Sequence, residues 1–568
     1  MTVDERARAT PTPATTTAGG APRWLRPLPL VVLLGGWLAL VGQTDAYLNP
    51  DGTAYVAVAE RVLAGDLAGA VNGYWSPLLP WATTPLMALG VDGLLALRLV
   101  LLVSAAAVLV LLRRLALRAG AAEVAADVVL VAVAPFLVYA TLFGLYPDVL
   151  TAAAVLLAAD LLLRPGASAA TTLAGGAVAG VAYLSKAFAL PAVLVLVPVW
   201  VVLRRWGAST GLSRPRSADG RGGRPTWGAT GRGVVVAMLG LALVAGPWVG
   251  VLSATYGAPT FSTSAGFNAT LVAPGSAGNP FNVPGLHEPP RPDALSAWEE
   301  PSALDVPLAP QAREETGEEF VDPDRGLDLP AAAGNVVAQT LVLGGVVARR
   351  ALPLVALAVV GVVVLARRRQ APSPVVTGTL AASAVWVGGL VLSIAIERYS
   401  WVPVLLLVPA AAVGASALAG RRRAGVLVLA AVLVPAMTLA SLRGLAPRLG
   451  AGEDVERAAQ RLSASGGLDG RVAGTTAWAD TLALCYRLGC TYVGRPDGDD
   501  LDEVAAELAA ADVEHLLVWG GDVLPTDAGV VREDFWPPEL APASRATLLV
   551  YDVTADGLVL DRVVGTEP

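Results

Sequence analysis

Lysine is almost missing from this chain of 568 residues: Lys186 is the only one among 40 Lys and Arg. Compositional drift toward arginine explains the shortage without invoking function, and it makes the surviving lysine informative. Histidine is as scarce, at His287 and His515, and so is cysteine, at Cys485 and Cys490. Residues so few and so scattered give no His/Cys metal cluster. P-loops and dinucleotide fingerprints are absent, and Gly175, Gly176 and Gly180 fall inside an apolar run, where they read as helix packing. Charge is thin as well, at 15% of residues with a net of −7. No nucleic-acid partner is expected. What fills the chain is apolar: 55% of residues are hydrophobic and the mean hydropathy is +0.60. Runs able to cross ~30 Å of hydrocarbon recur along most of it, which excludes a soluble globular protein.

Residues 1–22 are rich in Thr, Ala, Pro and Gly and read as a disordered cytoplasmic tail. Apolar runs then follow near 24–41, 94–112, 122–141, 147–163, 170–186, 187–203, 233–253, 351–366, 374–395, 400–419 and 424–441. This predicts a multi-spanning α-helical membrane domain over 23–443 with about eleven transmembrane helices. Arg113, Arg114, Arg118, Arg164, Arg204, Arg205, the arginines from Arg214 to Arg232, Arg367 to Arg369 and Arg421 to Arg423 all share one side if the N-terminus is cytoplasmic. Arg349 and Arg350 are exceptions, assigned to an interfacial helix before the eighth span. The outer side then receives a first loop at 43–93, the turn Tyr146–Asp148, a long loop at 254–347, and everything beyond about 443. In 444–568 short helices alternate with strands at 471–475, 491–493, 514–519 and a pair near 545–562, which predicts an extracytoplasmic α/β domain. There Cys485 and Cys490 are close enough in sequence, and on the right side of the membrane, to form one disulfide.

The stretch Asn49–Leu89 is too polar to span. Asp51 sits on a Pro-Asp-Gly turn, and Tyr55, Ala59, Val62 and Leu63 follow at helical spacing, as in an amphipathic helix lying in the interface. Tyr74, Trp75 and Trp81 stand among prolines like interfacial anchors. The plainer alternative is an ordinary polar loop. Ionisable groups near membrane depth are functional candidates because burying them is costly, and four outer features qualify: Asp51, Asp148, Lys186 and the triplet Glu397-Arg398-Tyr399. Each has a plain alternative. Asp148 can cap a helix, Lys186 can snorkel, and Glu397 with Arg398 can form an internal ion pair. Asp92, Asp127 and Asp160 are assigned interfacial or cytoplasmic positions. Two acids and two cations at one membrane face suit transfer of a glycosyl group from a lipid phosphate, with an acid as general base and cations for the departing phosphate.

These residues resemble the GT-C superfamily of multi-spanning glycosyltransferases that use polyprenyl-phosphate sugars, nearest the protein-mannosyltransferase and lipid A aminoarabinose-transferase branch. The similarity lies in Asp51-Gly-Thr-Ala-Tyr55 with Ala59 and Gly65, in Tyr74–Gly90, in Tyr146-Pro-Asp148, in Gly180–Lys186 and in Glu397–Pro403. It covers roughly residues 24–420. The resemblance implies Asp51 as catalytic base, Asp148 as a second active-site acid, and Lys186 and Arg398 as donor-phosphate contacts. Tyr55, Tyr74, Trp75, Glu397 and Tyr399 become candidate substrate contacts, and the long outer loop a lid. Implied partners are a polyprenyl-phosphate sugar, a cell-envelope glycan, lipid or protein acceptor, and the surrounding membrane lipids. No cofactor is certain; a divalent metal ion is used by some members and not by others, and its ligands here are unknown. Where many relatives carry Glu after the first Asp, this chain has Gly52. A lipid-linked saccharide flippase and a non-catalytic scaffold on the same fold are the competing readings.

Overall fold

The structure, a computed structural model, describes residues 25–209, 227–264, 285–286, 329–367, 373–392, 395–420, 423–474, 478–496, 500–520, 547–555 and 557–566. The tail at 1–22, the arginines at 214–224, 368–369 and 421–422, His287, and the aromatic and acidic residues of the long loop between 267 and 319 lie outside them.

After α1 (Leu28–Leu40), two helices occupy the first loop, α2 (Pro50–Ala64) and α3 (Leu78–Ala88). Then come α4 (Gly93–Arg118), α5 (Glu123–Leu142), α6 (Asp148–Leu162), α7 (Ala169–Ser185), α8 (Ala189–Ser209) and α9 (Trp227–Thr255). Beyond the long loop follow α10 (Leu329–Arg350), α11 (Leu352–Arg367), α12 (Pro374–Leu392), α13 (Trp401–Leu406), α14 (Val408–Ala419) and α15 (Arg423–Leu445). Every apolar run read from the sequence holds a helix among its described residues. Among the described residues five helices are long and apolar enough to cross a membrane, or up to seven spans if two bent pairs each count once. Those pairs are α10 with α11, bent by 96°, and α13 with α14, bent by 56°. The apolar α1 and α7 fall short of that length.

Two features bind this bundle. On the face expected to be cytoplasmic, Arg113 pairs with buried Asp127 at 2.7 Å, and Arg114 and Arg118 both reach buried Asp160 at 2.6 Å. Asp127 and Asp160 are therefore bracing groups that tie α4 to α5 and to α6, since a buried charge persists only when paired. Where α7 crosses α9, a Cβ on Gly176 would collide with the Ala237 carbonyl and one on Gly240 with the Leu173 carbonyl. Only glycine lets these backbones meet so closely.

The C-terminal part holds α16 (Glu453–Ala464), α17 (Trp478–Leu488) and α18 (Leu501–Ala510). Its five-stranded sheet uses β2 (Arg471–Gly474), β3 (Thr491–Tyr492), β5 (His515–Trp519), β6 (Thr547–Thr554) and β7 (Gly557–Gly565) in the order β3-β2-β5-β6-β7. The first three strands are parallel and the last two antiparallel. β1 (Gly285–Leu286), in the long loop, pairs with β4 (Gly494–Arg495). On α16, Val455, Ala458, Ala459 and Leu462 are buried at the helical spacing of one apolar stripe. Cys485 and Cys490 are fully buried and joined as a disulfide, with Cα atoms 4.5 Å apart.

Candidate active site

Asp51 does not sit on a turn that precedes a helix; it lies in the helix's first turn. Asn49 caps α2, its Oδ1 accepting from the Gly52 amide at 2.7 Å, and Pro50 fills the first helical position, where no N–H is missed. Gly65 ends the helix with φ +82°, the left-handed C-cap that glycine adopts without strain. Asn49 Nδ2 also donates to the Gly144 carbonyl at 3.1 Å, so the cap ties α2 to the turn before α6. In that turn Leu145 is buried in left-handed backbone, φ +48°, an uncommon conformation for a branched residue that the surrounding packing holds. The turn delivers Tyr146 and Asp148 to the same place as Asp51.

There the charged residues pair across elements. Arg398, in the 3₁₀ turn Glu397–Ser400 before α13, donates from Nη1 to Asp51 Oδ2 at 2.5 Å. Lys186, the residue that ends α7, donates from Nζ to Asp148 Oδ1 at 2.6 Å. Aromatic faces hold both cations: Lys186 Nζ lies 4.1 Å from the Tyr399 ring centre, and the Arg398 guanidinium 4.0 Å from that of Tyr146. Asp148 Oδ2 and Arg398 Nε are buried with no hydrogen-bond partner. Such atoms are costly to leave unsatisfied and mark places where a ligand has something to gain.

The four ionic residues line one cleft together with Tyr55, Tyr74, Trp75 and Tyr399. Tyr55 and Tyr74 each meet Trp75 edge-on, at 5.3 and 4.5 Å between ring centres. Burial holds both tyrosine hydroxyls well above their ordinary range, so they remain neutral donors. Nine of the sequence-derived candidates thus divide plainly, because Glu397 is set apart from the other eight. Its carboxylate pairs with Arg350 at 3.1 Å, and it is not among the cleft-lining residues. The plain alternatives fare differently. Pro147, not Asp148, occupies the cap position of α6; Glu397 and Arg398 do not pair with each other, and Lys186 is held by Asp148.

Sequence reasoning passed over Asn72, whose buried Oδ1 accepts from the Tyr74 and Trp75 amides, both at 2.8 Å, and so sets the aromatic wall. Its signal was the Asn-Gly dipeptide, a turn former. Gly73 in turn receives the start of the long loop. Its amide donates to Tyr256 Oη at 3.0 Å, and its carbonyl accepts from the Thr263 amide at 2.9 Å. Ser264 then enters the cleft wall.

A divalent cation does not fit these residues. Asp51 and Asp148 each already face a cation, and among the described residues no group of three His, Cys, Asp or Glu converges. A Cβ on Gly52 would lie 2.8 Å from Leu145 Cδ1 and 3.1 Å from Asn49 Oδ1, so a side chain there would have to displace the Leu145 side chain.

No protein-family model matches the chain, and no curated protein does. Among solved structures it is similar to ArnT from Cupriavidus metallidurans bound to undecaprenyl phosphate: 14% identity and a TM-score of 0.48, over 93% of this chain and 98% of that one. The apo state of that protein is matched at 14% identity and a TM-score of 0.47, over 91% and 98%. Archaeal oligosaccharyltransferase AglB from Archaeoglobus fulgidus, in complex with an inhibitory peptide and a dolichol-phosphate, is matched at 10% identity and a TM-score of 0.45, over 87% and 69%.

Proposed function

We propose that this protein is a membrane-embedded glycosyltransferase that moves a sugar from a polyprenyl-phosphate donor to a hydroxyl of a cell-envelope glycan, lipid or protein. The observation that supports this best is the facing of two acid–cation pairs, Asp51–Arg398 and Asp148–Lys186, across one aromatic cleft. A donor phosphodiester entering between Lys186 and Arg398 competes with both carboxylates for their charge. As Arg398 turns to the phosphate, Asp51 Oδ2 is freed to accept a proton. The acceptor oxygen then bonds to the anomeric carbon while the bond from that carbon to the phosphate oxygen breaks, and Asp51 takes the acceptor's proton. The departing polyprenyl phosphate gains a second negative charge, which Lys186 and Arg398 neutralise. Asp148 orients Lys186 and leaves Oδ2 for a sugar or acceptor hydroxyl, and Tyr55, Tyr74, Trp75 and Tyr399 offer faces for the sugar ring. In this reading the N-terminus is cytoplasmic, the cleft opens outward, and about eleven helices cross the membrane.

The test is sugar transfer from a panel of radiolabelled polyprenyl-phosphate monosaccharides by membranes carrying the protein. Transfer from at least one donor establishes the activity. If no donor yields its sugar while lipid-linked saccharides still cross the membrane, the protein is a flippase.

A further inference from the structure

The C-terminal α/β unit meets α2 through contacts that the proposed chemistry does not use. Tyr486 and Arg487 are neighbours near the end of α17, yet one reaches α2 and the other the segment that leads into it. Tyr486 Oη donates to Glu60 Oε1 at 3.4 Å, in the helix's third turn. Arg487 Nη2 donates at 2.9 Å to the Ala46 carbonyl, just before the cap Asn49. Asp51 lies between these attachments. Behind them the apolar core is continuous: Tyr55 and Trp75 from the cleft wall, with Val56 beside them, share one buried cluster with Val455, Leu484 and Trp519 of the C-terminal unit. The end of α17 is itself fixed, because Cys485, adjacent to Tyr486, is bonded to Cys490 ahead of β3. Glu60 is nine residues from Asp51, about 14 Å along the helix axis. Neither Tyr486 nor Glu60 can therefore act on a substrate held at Asp51.

We infer that the C-terminal α/β unit is a positioning module for the catalytic helix, in which Tyr486 and Arg487 hold α2 so that Asp51 stays in line with Arg398 and the cleft. This rests on the glycosyltransferase reading given above. Displacement of a catalytic group by about 1 Å can cost a hundredfold in rate. Tyr486 and Arg487 are positioning residues in this scheme, acting only through α2.

Full-length protein carrying Tyr486→Phe or Arg487→Gln tests it, with Glu60→Gln as the variant that keeps a hydrogen-bond acceptor for Tyr486. The first two should lower kcat about three- to tenfold, the worth of one hydrogen bond, with the donor KM unchanged. They should also speed amide exchange over residues 46–64, and Glu60→Gln should stay near wild type in both. Unchanged exchange at 46–64 in Tyr486→Phe and Arg487→Gln overturns the inference. So does a loss of protection spread over residues 453–520, which signals misfolding of the C-terminal unit, and so does a raised KM at constant kcat. If the wild type transfers no sugar from any donor, the glycosyltransferase reading fails, and the exchange data alone decide whether this clamp holds α2.

Discussion

Replacing Asp51 by asparagine should separate catalysis from donor binding. The substitution is nearly isosteric but removes both the proton acceptor and the charge opposite Arg398. At 2.5 Å the gross attraction of that pair is about 7 kcal/mol for an effective dielectric of 20. Much of this only repays desolvation, and stripping one partner from a buried pair typically costs about 3–5 kcal/mol. Here the two side chains keep 17% and 18% of their exposure, and the Tyr146 ring still faces Arg398. A loss of about 1–3 kcal/mol in the ligand-free protein is therefore expected. A lipid phosphate restores the missing negative charge. Its binding should hold or tighten, by up to about tenfold for each 1.4 kcal/mol of strain relieved. The rate should fall by about 10²–10⁴, the usual worth of a general base. Single-turnover transfer and equilibrium binding of unlabelled polyprenyl phosphate, measured on one preparation, read the two effects separately. Asp51→Asn with undiminished turnover would refute the assignment of Asp51 as base. Loss of phosphate binding in parallel with rate would show that Asp51 only builds the donor site.

Lys186→Gln should raise the donor KM and also lower thermal stability, because it leaves the buried Asp148 carboxylate without its 2.6 Å partner; adding Asp148→Asn should recover stability but not KM. Gly52→Ala should destabilise by about 1–3 kcal/mol through overpacking against Leu145 and Asn49, and Gly52→Glu should fail to yield folded protein in a detergent-stability assay. The Glu60 carboxyl is raised above 4.5 by burial first, with Asp92 adding to it, while the Tyr486 hydrogen bond opposes. The folded protein thus holds a proton there that the unfolded chain gives up. The stability this provides is complete below about 4.5 and is lost as pH rises through the raised value, so thermal midpoints in that window should fall for wild type but not for Glu60→Gln. Cys485 and Cys490 are the only cysteines, so unfolded protein should show no free thiol until reductant is added; two thiols before reduction would contradict the bond.

Helix positions were legible because apolar runs ending in arginine leave little freedom in where a helix starts and stops. The run near 351–366, for example, became Leu352–Arg367. Two things were not legible. The helix Leu78–Ala88 hides behind its prolines: Pro77 and Pro80 stand at its start, where a missing N–H costs nothing, so residues that normally argue for a loop begin a helix. Bends are the other. The apolar run 400–419 is broken at Leu407 into two helices at 56°, and hydropathy counts do not see a change of direction.

The site shows the same division between what composition states and what only geometry decides. That Asp51, Asp148, Lys186 and Arg398 belong to one face follows from the arginine pattern and the spans between them. Which acid meets which cation does not. Glu397 and Arg398 look like a pair in sequence, yet successive residues in a 3₁₀ turn point about 120° apart. One turn therefore sends Glu397 to Arg350 and Arg398 to Asp51. Gly52 is the reverse case, where sequence comparison exposed a departure without its reason. The space beside Asp51 that a glutamate would need is filled by Leu145, itself held in left-handed backbone by the turn that presents Asp148. Asp51 and Asp148 thus reach one cleft from α2 and α6, each held against a cation, Arg398 and Lys186.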